Sequence, residues 1–258
     1  MLPDISFFDK LAAAAAKETM PRFRHKIEIE NKLDEGFDPV TAADKAAERA
    51  IREVIEAEYP DHGILGEEEE NKNLDSEFVW VIDPIDGTRA FITGLPVWGT
   101  LIGLYQNGRA VMGMMDQPFT GERFLSDGKS SFAKFRDGNT QTLKTSNCTE
   151  LSKASMFTTT PELHTGDNSR RYFALENEIN LPRYGVDCYA YGVLSMGHAD
   201  LVCESDLKPY DIGGLIAVVE NAGGVVTKWD GGRPEMGGDC LAAATPELHA
   251  KALEVLNR

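Results

Sequence analysis

The chain reads as an α/β protein whose first half is built on an antiparallel sheet and whose second half alternates strands with helices. Two observations predict this. Between Val97 and Phe135, β-branched and aromatic runs carry a hairpin dipeptide at Asn107-Gly108, and Asp137-Gly138 marks another turn just beyond, the pattern of a meander. From Ser155 onward, short apolar runs alternate with stretches of helical periodicity. The stretch 140–153 carries few bulky apolar residues and marks the division, giving an α+β half over 1–143 and an α/β half over 144–258.

Taken in order, residues from about Ile5 to Lys32 read as an alanine-rich helix that Pro21 kinks or divides. Gly36-Phe-Asp-Pro39 breaks that pattern. Thr41 opens a second helix, in which Ala47, Ala50, Ile51, Val54 and Ile55 recur at helical spacing until Tyr59-Pro60 ends it. His62 to Gly66 and Val79 to Ile82 are strands, and Arg89 to Thr93 is a short helix closed by Gly94-Leu-Pro96. Val97 to Tyr105 and Arg109 to Asp116 form the hairpin, and Glu122 to Leu125 pairs with Ser131 to Phe135. In the second half, strands are expected at Ser155–Thr159, Pro182–Val186, Ala199–Glu204, Val225–Lys228 and Leu241–Thr245. Helices are expected at Asn168–Asn180, Cys188–Gly197, Asp211–Ala222 and Pro246–Leu256.

Composition excludes several function classes. With a formal net charge of −16 over 258 residues, the chain lacks the basic face that binding a phosphate backbone requires, so no nucleic acid partner is expected. The apolar run Leu11–Ala16 is too short to span a bilayer, and it lacks the flanks of a signal peptide. A cytoplasmic protein with no membrane partner is expected. Cys148, Cys188, Cys203 and Cys240 are scattered without a C-x-x-C pair, which points to reduced, mostly buried thiols rather than a zinc or redox motif.

The chemistry concentrates at Trp80-Val-Ile-Asp-Pro-Ile-Asp-Gly-Thr88, an apolar strand that stops at two carboxylates. Pro84 cannot donate to a ladder and pushes Asp83 out of helical geometry, so the chain is expected to turn there. The turn brings Asp83 and Asp86 together, with the Ile85 carbonyl between them. Their repulsion is relieved by a bound cation, and hard oxygen donors suit magnesium, manganese or calcium. Gly87 permits close backbone approach, and the N–H groups where Thr88 opens a helix attract an anion such as phosphate. The ordinary alternative is a hydrogen-bonded Asx turn with helix capping. Glu67 follows a strand and a glycine, the position Asp83 also occupies, and reaches the same cation if the two strands are neighbours. Asp44 fits a capping box with Thr41, and on spacing alone a cap is the better reading. Asp211, at a helix start, also reads as a cap, Asp187 likewise, and Glu204 as a solvated carboxylate.

Gly66-Glu-Glu, Asp83-Pro-Ile-Asp-Gly-Thr88 and Pro209-Tyr-Asp-Ile-Gly-Gly214, in this order and spacing, closely resemble the inositol monophosphatase superfamily of metal-dependent, lithium-sensitive phosphatases. The resemblance spans nearly the whole chain. It implies a layered α/β/α/β/α sandwich and a cytoplasmic homodimer. It makes Glu67, Asp83, the Ile85 carbonyl, Asp86 and Asp211 ligands of two or three Mg2+ ions, with Mn2+ an alternative. Asp44 and Thr88 then handle the nucleophilic water, with Glu67 as a further catalytic residue, and this displaces the capping reading of Asp44.

Within the superfamily the chain looks most like the histidinol-phosphate phosphatases of histidine biosynthesis. The residues that carry this are Asp86-Gly-Thr-Arg-Ala-Phe91, Gly94-Leu-Pro-Val-Trp-Gly-Thr-Leu-Ile102, Asp116-Gln-Pro118, Gly185-Val-Asp-Cys-Tyr-Ala-Tyr191 and Asp206-Leu-Lys-Pro-Tyr-Asp211. The substrate-binding set that follows is Asp86, Gly87, Thr88, Arg89, Gly185, Asp187, Glu204 and Asp211. Arg89 stands where inositol enzymes usually have asparagine, Asp187 where they have a small pocket residue, and Lys208 and Tyr210 where they have histidine and tryptophan. Val186 departs from the subgroup, in which glycine often precedes the aspartate. A second carboxylate beside Glu204 suits the amine and imidazole of L-histidinol phosphate and gains nothing from neutral inositol. The competing expectations are an inositol-1-phosphate or broad sugar-phosphate phosphatase on the same metals, and a regulatory binding protein with a vestigial site.

Overall fold

The computed structural model describes residues 2–26, 29–31 and 39–258. Helices α1 (Ser6–Thr19) and α2 (Ala42–Glu58) pack together on one face of a seven-stranded sheet. Small residues at Ala12, Ala15 and Ala47 let them approach closely, while Phe7, Phe8, Leu11, Ile51 and Ile55 bury against Trp80, Ile102 and Leu104. Of the helix expected over 5–32 with a kink or division at Pro21, the part before the proline forms and the part after it does not continue through 29–31. The helix ends at Thr19, because Pro21 has no N–H to continue the ladder, and turns with Arg24 at φ +62° follow. Ile29–Asn31 is instead a short strand, β1, paired antiparallel with β2 (Pro39–Thr41). The expected break at Gly36-Phe-Asp lies outside the described residues.

The large sheet runs in chain order: β3 (Gly63–Gly66), β4 (Phe78–Asp86), β5 (Gly99–Gln106), β6 (Arg109–Gln117), β7 (Glu122–Ser126), β8 (Ser131–Lys134) and β9 (Thr140–Thr142). The hairpin at Asn107-Gly108 has positive φ at both residues, as a two-residue turn between twisted strands needs. β3 is parallel to β4, with Gly66 opposite Ile82, so Glu67 and Asp83 are the next pair in register. At Pro84 the chain does not turn as expected. β4 continues to Asp86 through a bulge between Asp83 and Asp86, which lets the strand keep its neighbour while proline contributes no N–H. The reversal comes at Gly87, at φ +79°, which starts α3 (Thr88–Thr93).

β9 extends the first sheet to Thr142, inside the stretch expected to be a boundary. The second sheet has the order β11-β10-β12-β14-β13, from β10 (Ser155–Thr158), β11 (Leu181–Tyr184), β12 (Leu201–Leu207), β13 (Val225–Lys228) and β14 (Gly238–Ala243). β10 is parallel to β11 and β12, and β14 is antiparallel to both of its neighbours. β14 stops before Thr245, which is the N-cap of α8 (Pro246–Leu256) and accepts from the Leu248 N–H at 3.1 Å. The remaining helices are α4 (Gly166–Glu176), α5 (Tyr189–Ser195), α6 (Pro209–Gly213) and α7 (Ile216–Glu220).

The single helix expected over 211–222 is therefore two short ones. Gly213 and Gly214 favour the break, and their carbonyls press onto β5 and β6 so closely that a Cβ on Gly103 or Gly113 would meet one at 2.3 Å. α5, α6 and α7 fill the space between the sheets, and one buried cluster joins Leu101, Met115 and Phe124 of the first sheet to Val202, Val226 and Ala242 of the second. α4 and α8 cover the far face of the second sheet through Tyr172, Leu175, Leu248 and Ala252. The layers are thus α/β/α/β/α. All four cysteines are free thiols, and among the described residues no helix is long and apolar enough to cross a membrane.

Candidate active site

A cleft of about 200 Å³ opens where the bulged end of β4 faces the second half of the chain. Glu67, Asp83, Ile85, Asp86, Gly87, Thr88 and Arg89 line one side, and Thr159, Asp187, Cys188, Tyr191, Glu204, Leu207 and Asp211 the other. Asp83, Asp86 and Asp211 each offer a carboxylate oxygen, all within 4.8 Å of one another. Burial, and then the charges of Glu67, Asp86 and Asp211, push Asp83 well above the usual carboxylate range, and a hydrogen bond with Glu67 adds to this. Asp86 is raised by burial and by Asp187 and Asp211, although the Cys188 N–H donates to it at 2.8 Å. Carboxylates that resist ionisation together in so small a space fit a divalent cation, and the donors are the hard oxygens that such a cation prefers.

Asp83 is fixed by the Ile85 N–H, which donates to its Oδ1 at 3.0 Å across the bulge. The Ile85 carbonyl accepts from the Thr88 hydroxyl at 3.1 Å and keeps a second lone pair for a ligand. Asp211 is in the first turn of α6, where the Lys208 N–H donates to its Oδ2 at 2.6 Å. It therefore caps the helix, and its carboxylate also lies in the acidic trio.

Asp44 behaves in the same way. The Thr41 N–H and hydroxyl donate to its Oδ2 at 2.8 and 2.5 Å, completing a capping box. Its Oδ1 lies 3.5 Å from the Thr88 hydroxyl, the outer limit of a hydrogen bond. Burial raises its pKa to about 6 against the pull of the Thr41 bonds. Asp44 lies beneath the cleft rather than in its wall.

On the opposite wall, Asp187 adopts a left-handed conformation at φ +44°, which aspartate tolerates better than most residues. It stands directly over Gly87, where a Cβ would meet its Oδ2 at 2.9 Å, so glycine is required there for space as well as for φ. Burial raises Asp187, while Thr159 and the charge of Arg89 draw it back down. Glu204 is buried, and it accepts from the Thr159 N–H at 2.6 Å and from the Thr159 and Thr158 hydroxyls at 3.1 and 3.0 Å. Burial still raises it to about 8. Gly185 is exposed, at φ +75°, and does not line the cleft; its N–H donates to the Thr159 carbonyl at 2.9 Å, tying down the loop that carries Asp187.

Thr159 and Tyr191 are cleft residues that motif reading misses. Thr159 follows β10, whose pairing with β12 puts it next to Glu204. Tyr191 is in the first turn of α5, and its buried hydroxyl has no hydrogen-bond partner among the described residues. Nothing local in the sequence marks either residue.

The model of the inositol monophosphatase family matches residues 3–258. The chain belongs to the inositol monophosphatase family. Its curated relatives include the chloroplastic bifunctional phosphatase IMPL2 of Arabidopsis thaliana, 39% identical over 95% of this chain and 72% of the relative. A histidinol-phosphatase of Chlorobaculum parvum is 32% identical over 95% of this chain and 93% of its own. Among solved structures, an inositol monophosphatase from Zymomonas mobilis superposes with a TM-score of 0.86 at 37% identity, covering 99% of this chain and 98% of that one. The chain is accordingly a phosphoric monoester hydrolase of this family, whose members act on small-molecule phosphate monoesters and use divalent metal ions.

Proposed function

We propose that the enzyme hydrolyses L-histidinol phosphate to L-histidinol with magnesium, as a homodimeric step of histidine biosynthesis. The observation that carries this is the Asp187–Glu204 pair, two buried or half-buried carboxylates on the wall that also carries Asp211, across the cleft from Asp83 and Asp86. The Asp187 charge raises Glu204's cost of ionisation, so a cation beside Glu204 is favoured, and a protonated amine supplies one. The 32% identity to a histidinol-phosphatase supports the same reading.

A divalent cation held by Glu67, Asp83, Ile85, Asp86 and Asp211 supplies Lewis-acid polarisation of the phosphoryl group and acidification of water. Phosphate oxygens are taken up by the backbone N–H groups of Gly87 and Thr88. A water over Thr88 donates to the threonine oxygen as the hydroxyl turns from the Ile85 carbonyl towards Asp44 Oδ1, 3.5 Å away, and passes its own proton there. Asp44 thereby accepts the proton released as water attacks phosphorus, for which a pKa of about 6 suits it near neutral pH. The leaving oxygen takes a proton from solvent water, and the alcohol departs towards Asp187 and Glu204, with Arg89 at the rim.

The 37% identity to an inositol monophosphatase favours a second reading, a neutral inositol or sugar phosphate on the same machinery. Asp187→Ala separates the two. Loss of a charged hydrogen bond of about 1.5–3 kcal/mol raises KM for L-histidinol phosphate roughly ten- to a hundredfold and leaves myo-inositol 1-phosphate unaffected. Equal effects on both substrates reject the cation-binding role.

A further inference from the structure

Behind Glu204, and outside the cleft, lies a chain of side-chain hydrogen bonds that ends on a buried histidine. The Glu204 Oε2 receives the Thr158 hydroxyl at 3.0 Å, and the same hydroxyl oxygen lies 3.0 Å from His164 Nε2. His164 Nδ1 lies 2.8 Å from the Ser205 hydroxyl. The imidazole is stacked on the Tyr172 ring, with centroids 4.0 Å apart and planes 14° from parallel, and only 3% of the residue is exposed. Both nitrogens are therefore committed to hydroxyls, and no solvent or cleft contact competes for them.

We propose that His164 is a positioning residue for the carboxylate that selects the substrate, acting through Thr158 to hold Glu204 Oε2 while Thr159 holds Oε1. The proposal rests on the reading of Glu204 as part of the cation-binding pair. A neutral imidazole between two hydroxyls has two arrangements, and the ionisation of Glu204 selects one of them. With a cation in the cleft, Glu204 carries no proton and can only accept, so Thr158 donates to it. The Thr158 oxygen then accepts from His164 Nε2–H, and His164 Nδ1 accepts from the Ser205 hydroxyl. Burial keeps His164 neutral, lowering its pKa to about 4 although Asp239 and Glu176 pull the other way. Around Glu204, Asp187 ahead of α5, Tyr191 on α5, Cys203 on β12 and Cys240 on β14 carry no positive charge, and the Arg89 charge acts on Asp187, so a substrate amine in the cleft favours the ionised form of Glu204.

His164→Phe keeps the ring and its stacking and removes both hydrogen bonds. The expected result is a KM for L-histidinol phosphate about tenfold higher with kcat within about twofold, and unchanged constants for p-nitrophenyl phosphate, which has no cationic alcohol portion. Thr158→Val is expected to reproduce this and Thr158→Ser to restore the parent values. Unchanged KM in a folded His164→Phe protein overturns the positioning role. Glu204→Gln distinguishes the two levels: if it raises KM while His164→Phe does not, only the positioning role fails, and if it has no effect the pocket reading fails with it. In the unmutated magnesium-loaded protein with L-histidinol bound, ¹⁵N NMR is expected to find His164 protonated at Nε2 alone. Protonation at Nδ1 contradicts the proposal even where a variant does not fold.

Discussion

Asp44 and Asp211 each use a carboxylate to cap a helix at the edge of the cleft. Both sit in a first helical turn and accept a backbone N–H, from Thr41 and from Lys208, while Asp44 Oδ1 lies 3.5 Å from the Thr88 hydroxyl and Asp211 lies in the acidic trio. Capping and function were competing readings of the sequence because each accounts for an acid at that position; the carboxylate has oxygens enough for both. Asp83 has no such local role beyond the bulge, and its burial among Glu67, Asp86 and Asp211 costs stability that a cation offsets. Asp83→Asn is therefore expected to lower phosphate release by at least about a hundredfold, since groups one step further from a metal already cost about 10- to 100-fold. The same variant is expected to melt at higher temperature than the parent when both are stripped of metal, because a neutral amide removes the repulsion. Near-normal turnover, or a lower metal-free melting temperature, contradicts this account of Asp83. The Asp-Pro-Ile-Asp-Gly-Thr residues were legible because their chemistry is unusual for a core. Thr159 was not, because its role exists only once β10 lies beside β12.

At the scale of elements, the site depends on how closely α6 approaches the first sheet. Gly213 and Gly214 press onto Gly103 of β5 and Gly113 of β6, and this contact carries Asp211 from the second half to Asp83 and Asp86 of the first. Gly113→Ala places a methyl group against the Gly214 carbonyl, a backbone atom that cannot rotate away. Overpacking of this kind costs about 1–3 kcal/mol, or a melting temperature lower by several degrees in a chain of this size. Weaker magnesium activation is expected alongside, because Asp211 moves with the helix. A variant that matches the parent in both measurements shows that the contact does not position Asp211. Most strands were legible from their alternation and turn residues. The break at Pro21 was legible, but not the strand that follows it at Ile29–Asn31, and the helix read over 211–222 failed because periodicity continues through Gly213-Gly214 while the backbone does not.

The whole molecule is a five-layer sandwich whose central layer of helices is buried against both sheets, so the two halves share one core. A sequence divided at 140–153 does not reveal that sharing, since no local signal says which faces of two distant sheets will meet. The shared layer fixes the two walls of the cleft relative to each other. It also encloses carboxylates that burial makes hard to ionise, with Asp44 at about 6 and Glu204 at about 8. Groups raised in this way hold more protons folded than unfolded, so their contribution to stability is fully present below the unfolded pKa, near 4, and is lost as pH rises through the folded values. Metal-stripped protein is expected to lose thermal stability from about pH 5 to pH 8, and magnesium to restore more of it at pH 8 than at pH 5. A flat profile, or equal restoration at both, contradicts the charge balance described for the cleft.

On the proposed function, that balance has one central consequence, a phosphatase whose far wall prefers a substrate with a cationic alcohol portion. Magnesium-dependent phosphate release from L-histidinol phosphate and from myo-inositol 1-phosphate, measured side by side on the same purified enzyme, tests it most directly. The expected result is a kcat/KM at least about tenfold higher for L-histidinol phosphate, the effect of a single charged hydrogen bond. Parity, or a preference for the inositol ester, contradicts it.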